Sequence, residues 1–597
     1  MKSLLSLAKN TKRAIGFSFN FAPFITASVF VLAITTSLAP LLQSKILGDV
    51  VNQIISQLSK GGSESVVVYL VFIYALVWAG TRVLNALQLY MEKIWSLENE
   101  QGLDLTMLKK RAEIDLGHYE NPDFQNLLQR VSNRSIWPVY EMIDSQFKVF
   151  ANLSVIIVSS IITSAISWQL YLVVIISAIP SFLVQLKYGY KIWGIWAERS
   201  ERQRRFAVTR WHIMNRTGVV QAKLFQNSKK LLEIVTDILH SFKKDLLKED
   251  KTRFYLQSIA YVIGAAGFGF SMWLITKDVM SGLISVGAMV FLVSILGQLV
   301  GAINSFLAQI ATLLEKNLYV TDIFTVFDTK PFIKRSDNPK KLNLESPPTI
   351  EFRNVSFKYE KMKDLVLKNI NLTINSGEKI ALVGMNGAGK TTLIKLLSRI
   401  YDPTEGDIFI NGINLKEIDL DEWGSYLSVL LQDYLAYDMK VSESIGMGRA
   451  DKSIDMSEIQ EAAGYSGANE FIEQWENKYE QQLGKEFEGG VEPSKGQGQK
   501  IALARAIYRN GFIMVLDEPT ASIDALSETK IFEQMEKAVK NNTLIVITHR
   551  FNTTQNLDKI VVIEHGTIQE TGTHKELIAK GGLYKSMFES QAKTFRK

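Results

Sequence analysis

The chain has 597 residues, 47% of them hydrophobic, with a mean hydropathy just above zero; it is long enough for two or more domains and suits a molecule that is half lipid-facing and half water-soluble. The net charge of +6 is modest, and the basic residues gather beside apolar segments instead of forming an arm or stripe, so no nucleic-acid partner is expected. With no cysteine, disulfides, thiolate zinc sites and a cysteine nucleophile are excluded, and six histidines without ligand spacing argue against a transition-metal site.

Charge-free stretches dominate the first half. They cover residues 14–44, 65–81, 149–186, 254–276 and 279–314. A crossing of the roughly 30 Å hydrocarbon core takes about 20 residues. The third stretch is too long for one crossing, and Ser167, Trp168 and Gln169 at its middle predict a tight interfacial turn. Six membrane-spanning helices follow. Lys2, Lys9, Lys12 and Arg13 precede the first with no small-residue cleavage site, as in a retained signal anchor. Lys and Arg concentrate in residues 93–134 and 187–253, which predicts cytoplasmic placement for these connections and for both termini. Arg82 falls late in the second helix, where it can snorkel to the inner leaflet.

Residues 330–348 are rich in Pro, Lys, Asn and Ser and read as a linker. The domain division is then 1–328 for the membrane part, 329–348 for the linker and 349–597 for a soluble part. In the last of these the apolar runs shorten to strand length, at 349–352, 380–383, 408–410, 512–516, 544–547 and 560–563. Helical stretches between them predict an α/β domain with a largely parallel sheet.

Residues 384–391 match the phosphate-binding pattern G-x-x-x-x-G-K-[ST], between a short buried strand and an amphipathic helix. Gly384, Asn386, Gly387, Ala388 and Gly389 supply inward-pointing backbone N–H groups. Lys390 reaches the terminal phosphates, and Thr391 and Thr392 open a helix whose dipole favours anions. Residues 512–518 form an apolar strand ending in Asp517 and Glu518. Asp517 can hold Mg²⁺ beside Thr391, and Glu518 can orient or deprotonate a water. His549 follows another strand, on the edge of a parallel sheet where ligands bind, and suits a γ-phosphate contact.

Taken in order, these motifs resemble an ATP-binding cassette (ABC) exporter half-transporter, with the membrane domain ahead of the nucleotide-binding domain. The resemblance spans essentially the whole chain and implies ATP hydrolysis coupled to transport, with ATP and Mg²⁺ as cofactors. It further implies that Tyr359 stacks on adenine, that Gln432 senses Mg²⁺ and the membrane domain, and that Ser494, Lys495, Gly496 and Gln497 cap the γ-phosphate bound to a partner subunit. Asp524 is implied at the dimer interface. The signature departs from the usual Leu-Ser-Gly-Gly-Gln in having Pro493 and Lys495, and residues 485–490 also differ from the common pattern. Two cytoplasmic turns, at 118–124 and near 208–216, resemble the family's coupling segments.

The turn at 118–124 and the run at 497–505 are similar to those of exporters of lantibiotics and other bacterial peptides. A peptide cargo is therefore expected, matured elsewhere because the chain starts directly with a membrane anchor and carries no cysteine peptidase. A multidrug or lipid exporter of the same architecture is the alternative, and a nucleotide-gated regulator without turnover is a third reading. Phosphate loop and signature belong to opposite subunits in this family, so the expected partner is a second copy of the chain, with a heterodimer as the alternative. The expected location is the bacterial cytoplasmic membrane.

Overall fold

The computed structural model describes residues 2–60, 64–132, 136–197, 200–519 and 525–595. It parts into two compact units. One comprises Met1–Ile114 and Pro122–Lys330; the other comprises Pro331–Lys597 together with the seven residues Asp115–Asn121.

The first unit is helical: α1 (Lys2–Phe21), α2 (Pro23–Lys60), α3 (Glu64–Glu113), and, after the short α4 (Leu116–Glu120), α5 (Pro122–Ser132), α6 (Trp137–Ile166), α7 (Trp168–Ala197), α8 (Ser200–Met214), α9 (Arg216–Leu224), α10 (Ser228–Met280) and α11 (Val286–Phe327). Among the described residues six helices are long and apolar enough to span a membrane, in α2, α3, α6, α7, α10 and α11. The first begins later than the charge-free stretch suggests. Proline lacks the N–H that would continue a helix and disfavours helical backbone in the residue before it, so the chain breaks at Ala22 and restarts at Pro23. Residues 14–21 accordingly belong to the amphipathic α1. Between α6 and α7 only Ser167 is non-helical; Trp168 and Gln169 already sit in α7. The 50 residues of α3 and 53 of α10 run well beyond a bilayer. Arg82 lies on α3 with its guanidinium 5.1 Å from the centre of the Trp78 ring.

Polar contacts and small residues join these helices. The Trp95 indole N–H donates to Ser18 Oγ at 2.8 Å, and Asn10 donates to Asn317 Oδ1 at 2.9 Å. Ser44 and Ser294 hydroxyls meet at 2.6 Å. Helices α2 and α11 approach at Gly48 and Gly287, where a Cβ on Gly287 would stand 2.0 Å from the Gly48 carbonyl oxygen. Close backbone approach at small residues is how helices associate in lipid, where apolar contact alone gives little preference. The second of the two turns noted in the sequence forms at Asn215, whose side chain accepts from Gly218 N at 2.7 Å and caps α9.

The second unit contains two sheets. Strands β1 (Ile350–Phe357), β2 (Leu367–Ile374), β4 (Glu405–Ile410) and β5 (Ile413–Asn414) form an antiparallel sheet in the order β2-β1-β4-β5. Strands β3 (Lys379–Val383), β6 (Leu427–Leu430), β7 (Ile513–Asp517), β8 (Thr543–Ile547), β9 (Lys559–Glu564) and β10 (Thr567–Gly572) form the other in the order β10-β9-β3-β8-β7-β6. The latter is parallel except for β10. β1 extends beyond its apolar run, and β2, β5, β6 and β10 lie outside the runs noted above; β2, with exposed positions between its buried ones, shows why a half-buried strand carries no continuous apolar run. The helices are α12 (Lys390–Leu397), α13 (Leu420–Ser425), α14 (Val441–Gly446), α15 (Met456–Ser466), α16 (Asn469–Ile472), α17 (Lys495–Arg509), α18 (Ala525–Val539), α19 (His574–Lys580) and α20 (Leu583–Phe595). One apolar cluster fills the space between the sheets with α12 and α13; another joins the opposite face of the parallel sheet to α17 and α18.

The segment before β1 is irregular but pinned along this unit. Lys340 N donates to Glu417 O at 2.8 Å, and Arg335 pairs with Asp421. Helix α4 belongs to the same body. Glu120 accepts from Tyr401 Oη at 2.5 Å and Lys395 Nζ at 3.1 Å, His118 stacks on Phe332, and Asp115 accepts from the Ile333 N–H at 3.0 Å.

Candidate functional site

Four parallel strands deliver the site from their carboxyl ends, the edge at which open α/β sheets bind ligands. β3 leads into the glycine loop, β6 into Gln432, β7 ends on Asp517 and β8 is followed by His549. The registers Leu382 to Ile547, Asp517 to Ile547 and Leu430 to Leu516 keep these ends level. The resulting cavity, about 420 Å³, is lined by Asn386, residues 387–392, Gln432, Asp517, Glu518 and His549. A larger cleft of 510 Å³ lies beside α17 and is mostly apolar; it has no phosphate loop and does not contain these groups.

Gly384, Gly387 and Gly389 all have positive φ, and at two of them a side chain would also collide. Gly384 has φ +154° and a Cβ there would stand 2.1 Å from the Ile563 carbonyl oxygen; Gly389 has φ +106° and would meet Leu367 at 2.6 Å. Lys390 is buried and donates to the carbonyls of Gly384 at 2.8 Å and Met385 at 2.9 Å, closing the loop on itself. Burial pushes its ammonium pKa down, opposed by the charges of Glu518 and Asp517. Thr391 Oγ1 donates to Asp517 Oδ2 at 2.8 Å. Asp517 is 2% exposed, and burial pushes its carboxyl pKa up, with the Thr391 hydrogen bond pulling the other way.

Glu518 is held on both carboxylate oxygens. Oε2 accepts from Gln432 Nε2 at 3.1 Å, and Oε1 lies 2.9 Å from His549 Nε2. Burial, then the Lys390 charge, push the His549 pKa below its ordinary value, against the pull of Glu518. A neutral ring protonated on Nε2 donates to that carboxylate. The arrangement therefore presents a carboxylate, a hydroxyl-bonded aspartate and an ammonium around one phosphate-sized space, with an imidazole and an amide orienting the carboxylate.

Tyr359 does not line this cavity; its hydroxyl meets Thr392 Oγ1 at 3.1 Å, and its ring packs edge-on to Tyr401. Ser494, Lys495, Gly496 and Gln497 also lie off the cavity. Ser494 caps α17 in a reciprocal box: its Oγ accepts from Gln497 N at 3.2 Å, and Gln497 Oε1 accepts from Ser494 N at 2.9 Å. Asp524 lies outside the described residues. The motif reading missed Gln499, whose Nε2 donates to the Glu518 carbonyl at 2.9 Å. Its one signal in the sequence is an amide on the stripe Gln499, Ala502, Leu503, Ala506, the spacing of one buried helix face.

Residues 367–521 match the family described as ABC transporter, and residues 26–303 match the ABC transporter transmembrane region. The chain is 28% identical to the subtilin transport ATP-binding protein of Bacillus subtilis, over 99% of this chain and 95% of that one. It is 32% identical to an ATP-dependent lipid A-core flippase of Alkalilimnicola ehrlichii, over 63% and 62% of the two chains. Among solved structures, a bacterial Atm1-family ABC exporter with ATP bound superposes with a TM-score of 0.82 at 20% identity, covering 95% of this chain and 98% of that one, and so shares the fold. With an ATP-binding loop, a membrane region of six apolar helices and both family matches in one polypeptide, the chain belongs to the ABC transporters, as an exporter half-transporter whose ATPase drives transport across a membrane.

Proposed function

We propose that this chain forms a homodimer that exports a lantibiotic-like peptide across the bacterial cytoplasmic membrane, with both termini on the cytoplasmic side. The similarity to a subtilin transport protein over nearly the whole of both chains carries the cargo reading; the lipid flippase matches a shorter part. The positive-inside pattern of residues 93–134 and 187–253 supports the orientation.

For the chemistry, one observation carries most: Glu518 is fixed between Gln432 and His549 at the edge of the phosphate cavity. Lys390 would exchange its loop carbonyls for the β- and γ-phosphates. A hydroxyl, a carboxylate and an amide are the hard oxygen donors that suit Mg²⁺, so Thr391, Asp517 and Gln432 would hold it, and it would supply charge neutralisation at the phosphates. Glu518 would take the proton of the attacking water, and His549 would contact the γ-phosphate. Tyr359 would stack on adenine. Ser494, Lys495, Gly496 and Gln497 would close on the nucleotide of the second copy, with Lys495 adding a cation, and Asp524 would lie at the subunit interface.

The test is ATP hydrolysis by the purified protein in lipid vesicles, beside Glu518→Gln, with and without candidate peptides and graded amphiphiles. We expect turnover to rise with a peptide and to fall by about 10²–10⁴ in the variant, with ATP binding retained. Undiminished hydrolysis in Glu518→Gln overturns the assigned base. Stimulation by amphiphiles alone overturns the peptide reading.

A further inference from the structure

Helix α17 carries the signature residues on its first turn and Gln499 on the next. Gln499 is 4% exposed, on the face that packs Ala502, Leu503 and Ala506. A buried amide left without partners is destabilising. Here its Nε2 donates to the main-chain carbonyl of Glu518 at 2.9 Å. Glu518 is the residue that needs holding. Its φ is +51°, left-handed backbone that a residue with a Cβ seldom adopts. Its N–H donates to Ile547 O on β8 at 2.9 Å. Both main-chain groups of Glu518 are thus engaged, one by a strand and one by α17, and this aims the carboxylate at Gln432 and His549.

A second contact joins the same pieces. Tyr434, two residues past Gln432, donates its hydroxyl to the Lys495 carbonyl at 2.8 Å. Gly498 lies beneath it, where a Cβ would stand 3.1 Å from the Tyr434 Oη. The Gln432 segment, the first turns of α17 and Glu518 therefore form a closed ring of contacts.

We propose that Gln499 is a positioning residue for hydrolysis: its amide holds the left-handed turn at Glu518 and ties the aim of that carboxylate to the helix bearing the signature residues. This rests on the reading of Glu518 as the group that activates water. In the proposed homodimer the signature would serve the partner's nucleotide, whereas Glu518 would serve the chain's own. Capture of one nucleotide is therefore felt at the other site through about a turn and a half of helix, from Ser494 to Gln499.

The experiment uses the full-length protein in vesicles. Gln499→Glu keeps the shape but replaces the donor with a second acceptor; Gln499→Met keeps the length with neither donor nor charge. ATP hydrolysis is measured across a pH series, together with ATP binding and thermal unfolding. We expect kcat to fall about tenfold or more with KM changed less than about threefold, the split that marks loss of an interaction used in the transition state. Unchanged kcat in the Met variant overturns the proposal. So does a loss of kcat matched by equal loss of ATP binding or of folded protein, which marks a merely structural role. If both variants fail to fold, Tyr434→Phe, which removes one hydroxyl, reads the same ring: an unchanged ratio of kcat to KM there overturns it. Glu518→Gln runs alongside. Full turnover in that variant removes the underlying reading, whereas abolished turnover there beside intact turnover in the Gln499 variants removes only the positioning role.

Discussion

Both units bury mainly apolar side chains, but they differ in what joins their elements and in what they leave outside. In the ATPase unit the interior is Ile, Leu, Val and Phe from both sheets, and the central strands β3, β7 and β8 are apolar on both faces. In the membrane unit many buried positions are hydroxyls and amides, among them Ser18, Thr26, Ser44, Thr81, Asn99, Ser159 and Asn317, while Phe72 and Ile161 are 69% and 63% exposed. Water drives apolar groups together, so a soluble unit is specified by what it hides. Lipid is as apolar as leucine, so a membrane unit is specified by its polar and small residues, which have only each other to meet.

The largest effect that sharpens this contrast is Val515→Asp, at a position with 0% exposure in β7. An unpaired charge there costs more than about 4 kcal/mol and should leave no folded ATPase unit by limited proteolysis. Persistence of the folded unit would break the contrast from the soluble side. Next comes Lys390→Ala, which removes a charge-assisted contact to phosphate worth about 1.5–3 kcal/mol; nucleotide binding should weaken ten- to a hundredfold by titration, with the fold unchanged because its present partners are two loop carbonyls. Smaller is Trp95→Phe, which keeps an aromatic ring but deletes the indole N–H bonded to Ser18 and Thr26. We expect a loss of about 0.5–1.5 kcal/mol in thermal unfolding in detergent, and no loss would show that apolar packing, not polar pairing, holds these helices.

The smallest effect concerns pH. His549 has a folded pKa below 6.5, so the unfolded chain binds its proton first as pH falls. Its contribution is present above pH 6.5 and is lost as pH falls through 6.5 toward the lower folded value. The acid limb of ATP hydrolysis should accordingly have its midpoint below pH 6.5. A midpoint at or above that value would contradict the burial described for the ring.

What the sequence made legible follows from the range of the interactions involved. The phosphate loop is a local object: its glycines, its lysine and its flanking strand and helix all lie between Lys379 and Leu397, and the backbone angles at Gly384 and Gly389 are what those residues permit. The spans are legible because lipid tolerates few charges over a whole helix length. The break at Ala22 went unread because absence of charge says nothing about backbone continuity, although Pro23 carried the signal. Gln499 went unread for another reason. Its partner is a main-chain carbonyl 19 residues away, and no side-chain pattern marks a carbonyl. The contacts of Glu120 with Lys395 and Tyr401 are longer still, and nothing in the turn at 118–124 names them.

Those contacts set a timetable for synthesis. Glu120 and Tyr401 are 281 residues apart in the chain. At 5–20 residues per second a ribosome takes roughly 15–55 s to cover that distance. Throughout that interval α3 and the helices after it are emerging and inserting, while residues 115–121 are already made but have no ATPase unit to join. Their acidic and aromatic side chains must stay available, and unclaimed by chaperone or bilayer, until β1, α12 and Tyr401 have followed. A ribosome-bound intermediate stalled before Tyr401 should therefore leave this segment open to protease, and one stalled after release of the ATPase unit should protect it. Maturation of this transporter ends when a stretch of chain made early is collected by a domain made late.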